Sequence, residues 1–227
     1  MMLSRRTSRR TLTRASGLLW MSAVLFIQAP QGSAETLDRI AVTVDRHVIT
    51  LSDVLLDLRI SAFLDGKSPD LSGPSRRKAA ERLVDLYLVL EDAAVTRAPQ
   101  PAPAEVAPFL QPVRARYSSD ADYNSALQGA GISEAELKEH LLAGLRMMRY
   151  TDLRFRPEVP ITDQDLQEAF EELRAKRPAT EQAPNFEASR TQLEELVANR
   201  RVLEALDRWL AMTRTETQIL YRDAAFR

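Results

Sequence analysis

The chain has no cysteine. Disulfides, Cys-ligated zinc, iron–sulfur clusters, thiol catalysis and a lipid-modified N-terminal Cys are therefore excluded. Histidine is nearly as scarce. His47 and His140 stand almost a hundred positions apart, too few and too separated for a metal centre, and each is read as structural or solvated. Only 7 of 227 residues are glycine. No G-x-x-x-x-G-K-[ST] loop occurs, and the "GAG" at Gly129–Gly131 does not follow a strand, which argues against nucleotide-driven work. Neither a G-x-S-x-G elbow nor an H-E-x-x-H pair is present. No cofactor is expected. A basic surplus is also missing. With the first 34 residues set aside, 26 basic and 32 acidic residues remain, and a nucleic-acid partner, which asks for the opposite balance, is not expected. Aromatics make up only 6% of the chain.

What remains is Ala, Leu, Glu and Arg, with 44% hydrophobic and 28% charged residues: a helix-forming composition long enough to bury a core. Residues 1–34 read as a secretory signal. Arg5, Arg6, Arg9, Arg10 and Arg14 precede the apolar "GLLWMSAVLFIQA" (Gly17–Ala29), and small residues lead to a cleavage point after Ala34. The apolar run is shorter than the about 20 residues a membrane span needs, so cleavage is expected over a retained anchor. "SRRTL" (Ser8–Leu12) resembles a twin-arginine signal, but an arginine-rich leader produces such pairs readily, and the general secretory route is expected. The mature chain is thereby placed in the periplasm or cell envelope, without stable membrane insertion.

The mature chain opens with a hairpin pattern over 38–51. Ile40, Val42 and Val44 alternate with polar or small neighbours, Asp45–His47 makes the turn, and Val48–Leu51 returns. Ser52 is expected to cap a first helix striped by Val54, Leu55, Leu58 and Phe63 and halted by "DGKSPDLSGP". A second amphipathic helix runs from Pro74 to about Arg97, with Leu83, Leu86, Tyr87 and Leu90 on its apolar side. The Pro/Ala-rich stretch 98–108 is a connector, followed by a helix limited by Pro108 and Pro112 and a short one capped at Ser118 or Ser119 and stopped by Gly129 and Gly131. Ser133 and Glu136 form a capping box opening a long helix to Phe155, with Leu137, Leu141, Leu145 and Met148 on one face and Leu142 and Tyr150 off it. Thr162 to Asp165 caps a helix to Lys176, and "RPATEQAPN" is a loop. A closing helix spans about 185–214, with Leu193, Leu196, Leu203, Leu206 and Leu210 at helical spacing and Trp209 beside them.

A lone hairpin is marginal in water, so this one needs a partner. Thr215, Thr217, Ile219 and Tyr221 alternate over the last segment, and a strand at 216–222 is expected to return to the hairpin. The expected fold is mainly α with a small antiparallel sheet that closes the two ends of a single domain, 35–227, around a helical body at 52–177 and a closing segment at 185–222.

Carboxylates cluster at Asp163, Asp165, Glu168, Glu171 and Glu172, but on the first turns and polar face of one helix, where dipole and solubility roles are expected. Met147, Met148, Tyr150 and Phe155 make a soft apolar cluster suited either to core packing or to an adaptable contact surface. With Tyr87 and Trp209 these are the candidate client-contacting residues.

Several stretches, taken in order, resemble one family. "DRIAVTVDRHVITLSDV" (Asp38–Val54) resembles the hairpin-into-helix opening of SurA-type periplasmic chaperones. "RRKAAERLVDLYLVLEDA" (Arg76–Ala93) resembles their next helix. Gly131–Glu172 resembles their long helix, its "RFRPEVPIT" exit and the helix after it, and Leu203–Tyr221 resembles their closing helix and strand. The family usually inserts one or two parvulin prolyl-isomerase domains at the position occupied here by residues 177–185, where none can fit, and the paired histidines of a parvulin site are lacking. The resemblance therefore implies a SurA- and trigger-factor-like helical chaperone module that binds unfolded or extended outer-membrane-type clients without ATP, and no isomerase. Affinity would be about micromolar, as release without fuel requires. An adaptor module that binds one folded partner, or a residual isomerase, are the alternative readings.

Overall fold

The computed structural model describes residues 38–176 and 185–227. The signal reading (1–34) and most of the expected 177–185 loop lie outside the described residues. β1 (Ile40–Val44) and β2 (His47–Thr50) form the hairpin, and Asp45 occupies the left-handed region at φ 50° in its tight turn. The turn is shorter than expected, with His47 already in β2. Among the described residues seven α-helices follow: α1 (Leu51–Asp65), α2 (Gly73–Val95), α3 (Ala107–Arg114), α4 (Asp120–Ala130), α5 (Glu134–Phe155), α6 (Asp163–Lys176) and α7 (Phe186–Glu216). β3 (Ile219–Tyr221) ends the regular structure. The molecule is mainly helical with one three-stranded antiparallel sheet, as the composition and patterning predict.

The sheet order is β2-β1-β3, so the hairpin's partner is the far end of the chain. Val42 pairs with Tyr221, Thr43 with Leu220 and Val44 with Ile219. The Asp45 amide donates to the Gln218 carbonyl (2.9 Å) and the Arg222 amide to the Ala41 carbonyl (2.8 Å), which extends the ladder past both ends of β3. A bulge between Ile40 and Val42 lets Ala41 turn inward alongside its neighbour. The Arg77 guanidinium stacks 3.6 Å from the Tyr221 ring centroid, and Arg214 donates to Asp85 at 2.8 Å, so α2 grips both β3 and the end of α7.

Three apolar clusters carry the fold. The main cluster joins the inner sheet face (Val42, Val44, Ile49) to Val84 and Leu88 of α2, Tyr150 and Phe155 of α5, and Val202, Leu206 and Leu210 of α7. A second gathers Ile60 and Phe63 of α1 with Leu110 and Val113 of α3, Tyr123 and Leu127 of α4, and Leu137 and Leu142 of α5. A third, much smaller, holds α6 to the first half of α7 through Leu166, Ala169, Phe170, Leu193 and Val197.

Several expectations are corrected. α1 is capped by Thr50, not Ser52: the Thr50 hydroxyl accepts from the Asp53 amide, and the Asp53 carboxylate accepts from Thr50 in return. α4 is capped by Ser119 and ends at Gly131, both as expected, with φ 66° favouring glycine there, but Gly129 lies inside the helix rather than stopping it. On α5 the buried set is Leu137, Leu142, Leu145, Tyr150, Thr151 and Phe155, so Leu142 and Tyr150 face inward and Met148 outward. Leu196 and Leu203 of α7 are exposed (43% and 58%). α7 runs to Glu216, two residues beyond the expected end, and β3 is shorter than 216–222.

Candidate functional site

The connection from α5 to α6 passes Arg156–Glu158 in a 3-10 turn, where Pro157 and then Pro160 end the helix and turn the chain toward Thr162. This leaves a cleft of ≈ 570 Å³ between the end of α5, the start of α6 and the middle of α7. Its floor is Phe155, Val159 and Ala205, all part of or packed on the main cluster. Its rim is charged: Glu158 on one side, Asp165 and Glu168 of α6 opposite, and Arg201 and Arg208 of α7. Beside the floor, the Phe155 and Trp209 rings lie 6.3 Å apart, and the Arg154 guanidinium covers both at 5.5 and 5.8 Å.

The α6 wall is set by a capping box. The Thr162 amide and hydroxyl both donate to Asp165 (3.0 and 2.8 Å), and Arg201 donates from α7 at 2.5 Å. The Thr162 bonds first, and Arg201 after them, hold the Asp165 carboxyl down at about 2. The other acids flagged in this stretch are also engaged: Asp163 with Arg190, Glu171 with Arg174, Glu172 with Arg200, and Glu168 with the Gln164 amide. They serve as helix caps and ion pairs rather than as a facing acid–base pair.

The six candidate contact residues do not form one surface. Tyr150 is buried, and its hydroxyl donates to Asp92 at 2.6 Å; burial, then that acceptor, pushes the phenol up. Phe155 is buried with one edge in the cleft. Met147 and Trp209 pack half-buried on the main cluster, and Tyr87 does so while stacking on His47, ring centroids 4.1 Å apart. Met148 alone is open, at 55%. Of the six, Phe155 alone lines the cleft; Trp209 packs against Phe155 without lining it, and Tyr87, Tyr150 and the methionines are not among its lining residues either. Val159, Ala205, Glu158 and Arg208 were not singled out in the sequence. The signal that could have found them is the Pro157/Pro160 interruption, which forces a re-entrant corner between two capped helices.

A second, shallower hollow of ≈ 470 Å³ lies at the end of α2, with Leu90, Ala93, Ala94 and Ala98 below and Arg97, Gln100 and Arg146 at the edge. Among the described residues no helix is long and apolar enough to cross a membrane, and no group of three or more His, Asp or Glu could hold a metal ion. No protein-family model matches the chain, and no curated protein matches it.

Proposed function

We propose that this protein is an exported, ATP-independent chaperone that holds unfolded or extended envelope polypeptides by their apolar side chains. The observation that carries this reading is the α5–α6–α7 cleft: an apolar floor continuous with the main core, open to solvent, ringed by charges of both signs. Such a cleft accepts a side chain from a chain segment that has no structure of its own, while the mixed rim gives no preference for one sequence. Burying one large apolar side chain contributes about 1.5–3 kcal/mol, and ordering a flexible client offsets several kcal/mol. Several such contacts leave a net affinity near the micromolar range. The SurA-type order of sequence elements supports the same reading, and the absence of room for a parvulin insertion between α6 and α7 supports holding without isomerisation. The sheet has a part in this: β3 fixes the end of α7 against β1, and α5 packs on the same apolar cluster, so the α5 and α7 sides of the cleft share one frame while a client binds.

The test is suppression of aggregation of a denatured outer-membrane protein by stoichiometric amounts of the chain, combined with a photocrosslinker at Ala205 on the cleft floor and, as control, at the exposed Met212 outside it. Suppression with crosslinks from position 205 and not 212 is expected. No suppression at tenfold excess overturns the reading, and capture of one folded protein with no affinity for denatured chains replaces it with the adaptor reading.

A further inference from the structure

α1, α2 and α5 meet at a polar cluster in which Asp57 is buried, His140 is partly buried and Arg82 reaches the surface. Asp57, in the middle of α1, is 7% exposed. Its Oδ2 accepts from Arg82 Nη2 of α2 at 2.6 Å. Nδ1 of His140 on α5 lies 3.9 Å from its Oδ1, beyond hydrogen-bond length, with the imidazole largely withdrawn from water. The charged groups that face this imidazole are Asp57 from α1 and Arg82 from α2.

The position matters as much as the composition. One turn before Asp57, Val54 belongs to the main cluster; one turn after it, Ile60 belongs to the second. On α5, Leu137 and Leu142 on either side of His140 belong to the second cluster, and Tyr150 and Phe155 further on belong to the main one. The cluster therefore sits on the seam between the sheet-bearing body and the α1–α3–α4 core. With a neutral imidazole, one carboxylate is balanced by one guanidinium. A proton on His140 leaves two cations on the one buried carboxylate; Arg82 is half-exposed and keeps its water, so the cost falls on the partly buried imidazolium, which has no carboxylate of its own.

We propose that Asp57, Arg82 and His140 form a proton-operated joint, in which protonation of His140 parts α5 from α1 along this seam and exposes apolar surface that the two clusters bury when closed. Burial first, with Arg82 adding to it and Asp57 opposing, holds the His140 imidazole below its ordinary value in the closed form. In an opened form the ring is hydrated and titrates near 6.5. The closed form thus binds the proton less well, so acid favours opening. Between the two pKa values each pH unit of acidification raises the ratio of open to closed about tenfold. For the chaperone reading this would set how much surface is offered to clients; that consequence rests on that reading, whereas the joint is tested with no client present.

The chain has only two histidines, so proton NMR resolves both imidazoles, and His140→Gln assigns them. We expect His140 to titrate below 6.5. Hydrophobic-dye binding and amide exchange in α1 and α4 should rise as pH falls from about 7 to about 5, with the far-UV helix signal retained, and stay flat in His140→Gln. Should His140→Gln not fold, Arg82→Gln tests the same geometry: with the repelling cation gone and Asp57 left to face the imidazolium, the His140 resonance titrates at higher pH than in the parent and the acid rise in dye binding shrinks. An imidazole that titrates at or above 6.5, an acid rise unchanged in His140→Gln, an acid rise undiminished by Arg82→Gln, or loss of the helix signal together with the dye rise would overturn the joint.

Discussion

The body and the α6–α7 arm are held together by different physics, although one helix runs through both. In its second half α7 buries Val202, Leu206 and Leu210 against the sheet, α2 and α5, inside the largest apolar cluster of the molecule. In its first half it meets α6, among the described residues, across five buried residues flanked by the half-buried Leu173 and Phe186, and the sides are stitched by ion pairs: exposed ones from Arg190 to Asp163 and from Arg200, bidentate, to Glu172 (3.1 and 2.7 Å), and a part-buried one from Arg201 to Asp165. The body is closed mainly by apolar burial and a strand ladder between the chain ends, with the Arg77–Tyr221 stack and the part-buried Arg214–Asp85 pair at its edge. The arm is a thin apolar strip with charge on both sides. The cleft lies where the two meet, so its floor is rigid and its α6 wall is the softer element, an arrangement suited to clients of varied size.

Two matched truncations on α7 break this comparison most sharply. Leu206→Ala removes a buried side chain from the body and Leu193→Ala removes one from the arm. Each should cost about 2–5 kcal/mol where it acts. Leu206→Ala is expected to lower the global thermal transition. Leu193→Ala is expected to abolish amide protection in α6 while leaving that transition nearly in place. Equal losses of global stability would show that arm and body unfold as one unit.

The closure of the body can be tested next at Gly73, the first residue of α2. A Cβ there would lie 2.0 Å from the Phe226 carbonyl oxygen, so the segment after β3 must move if a side chain is added. Gly73→Ala should cost about 1–3 kcal/mol, the range for overpacking, with the loss appearing as faster amide exchange in β3 and β1 rather than in α6. Unchanged exchange in β3 would mean the closing segment does not carry the sheet.

Salt separates the regions more gently. From about 0.1 M to about 1 M salt the screening length falls from about 10 Å to about 3 Å. The exposed Arg–carboxylate pairs of the arm should weaken and α6 exchange faster, while the apolar body stays unchanged or firms slightly. Arg200→Gln, which removes the bidentate partner of Glu172, should reduce that salt response in α6. A salt response centred on β1 and α2 instead would reverse the assignment.

How far the sequence discloses this depends on how many neighbours each element has. The sheet closure was legible because Ile219 and Tyr221 carry period-two alternation at the end of a helical chain, and a hairpin alone cannot persist. The Ser133 and Thr162 caps were legible because their acids stand three residues on, and the same spacing from Thr50 to Asp53 marks the true start of α1 over the competing Ser52. What stayed hidden are the places where one helix changes partner. α5 turns its buried side as it passes from the second cluster to the main one, so Leu142 goes in and Met148 comes out. α7 makes a similar exchange, which strands Leu196 and Leu203 in solvent. A straight apolar stripe assumes one neighbour and fails at such handovers. Asp57 was overlooked for a related reason: it sits at an inward position, three residues after Val54 and three before Ile60, where a charge in the stripe was itself the signal.

The smallest effect distinguishes the arm by pH. Asp165 has its carboxyl lowered from 3.8 to about 2 by Thr162 and then Arg201. A carboxyl depressed in the folded state contributes stability that is fully present above its unfolded value and is lost as pH falls through the folded one. The Asp165 contribution to α6 is therefore intact above about pH 4 and fades toward pH 2. Amide exchange at the start of α6 should accelerate over that window, and less so in Asp165→Asn, which has no proton to take up there. The part that persists in the variant belongs to Glu172, which Arg200 also holds low. Thr162→Val removes the hydroxyl donor but keeps the amide, and should narrow the window from its acid side. An α6 start whose acid response is the same in all three proteins would mean that the wall of the cleft is fixed by its apolar strip alone, and that the capping box and its arginine tune nothing.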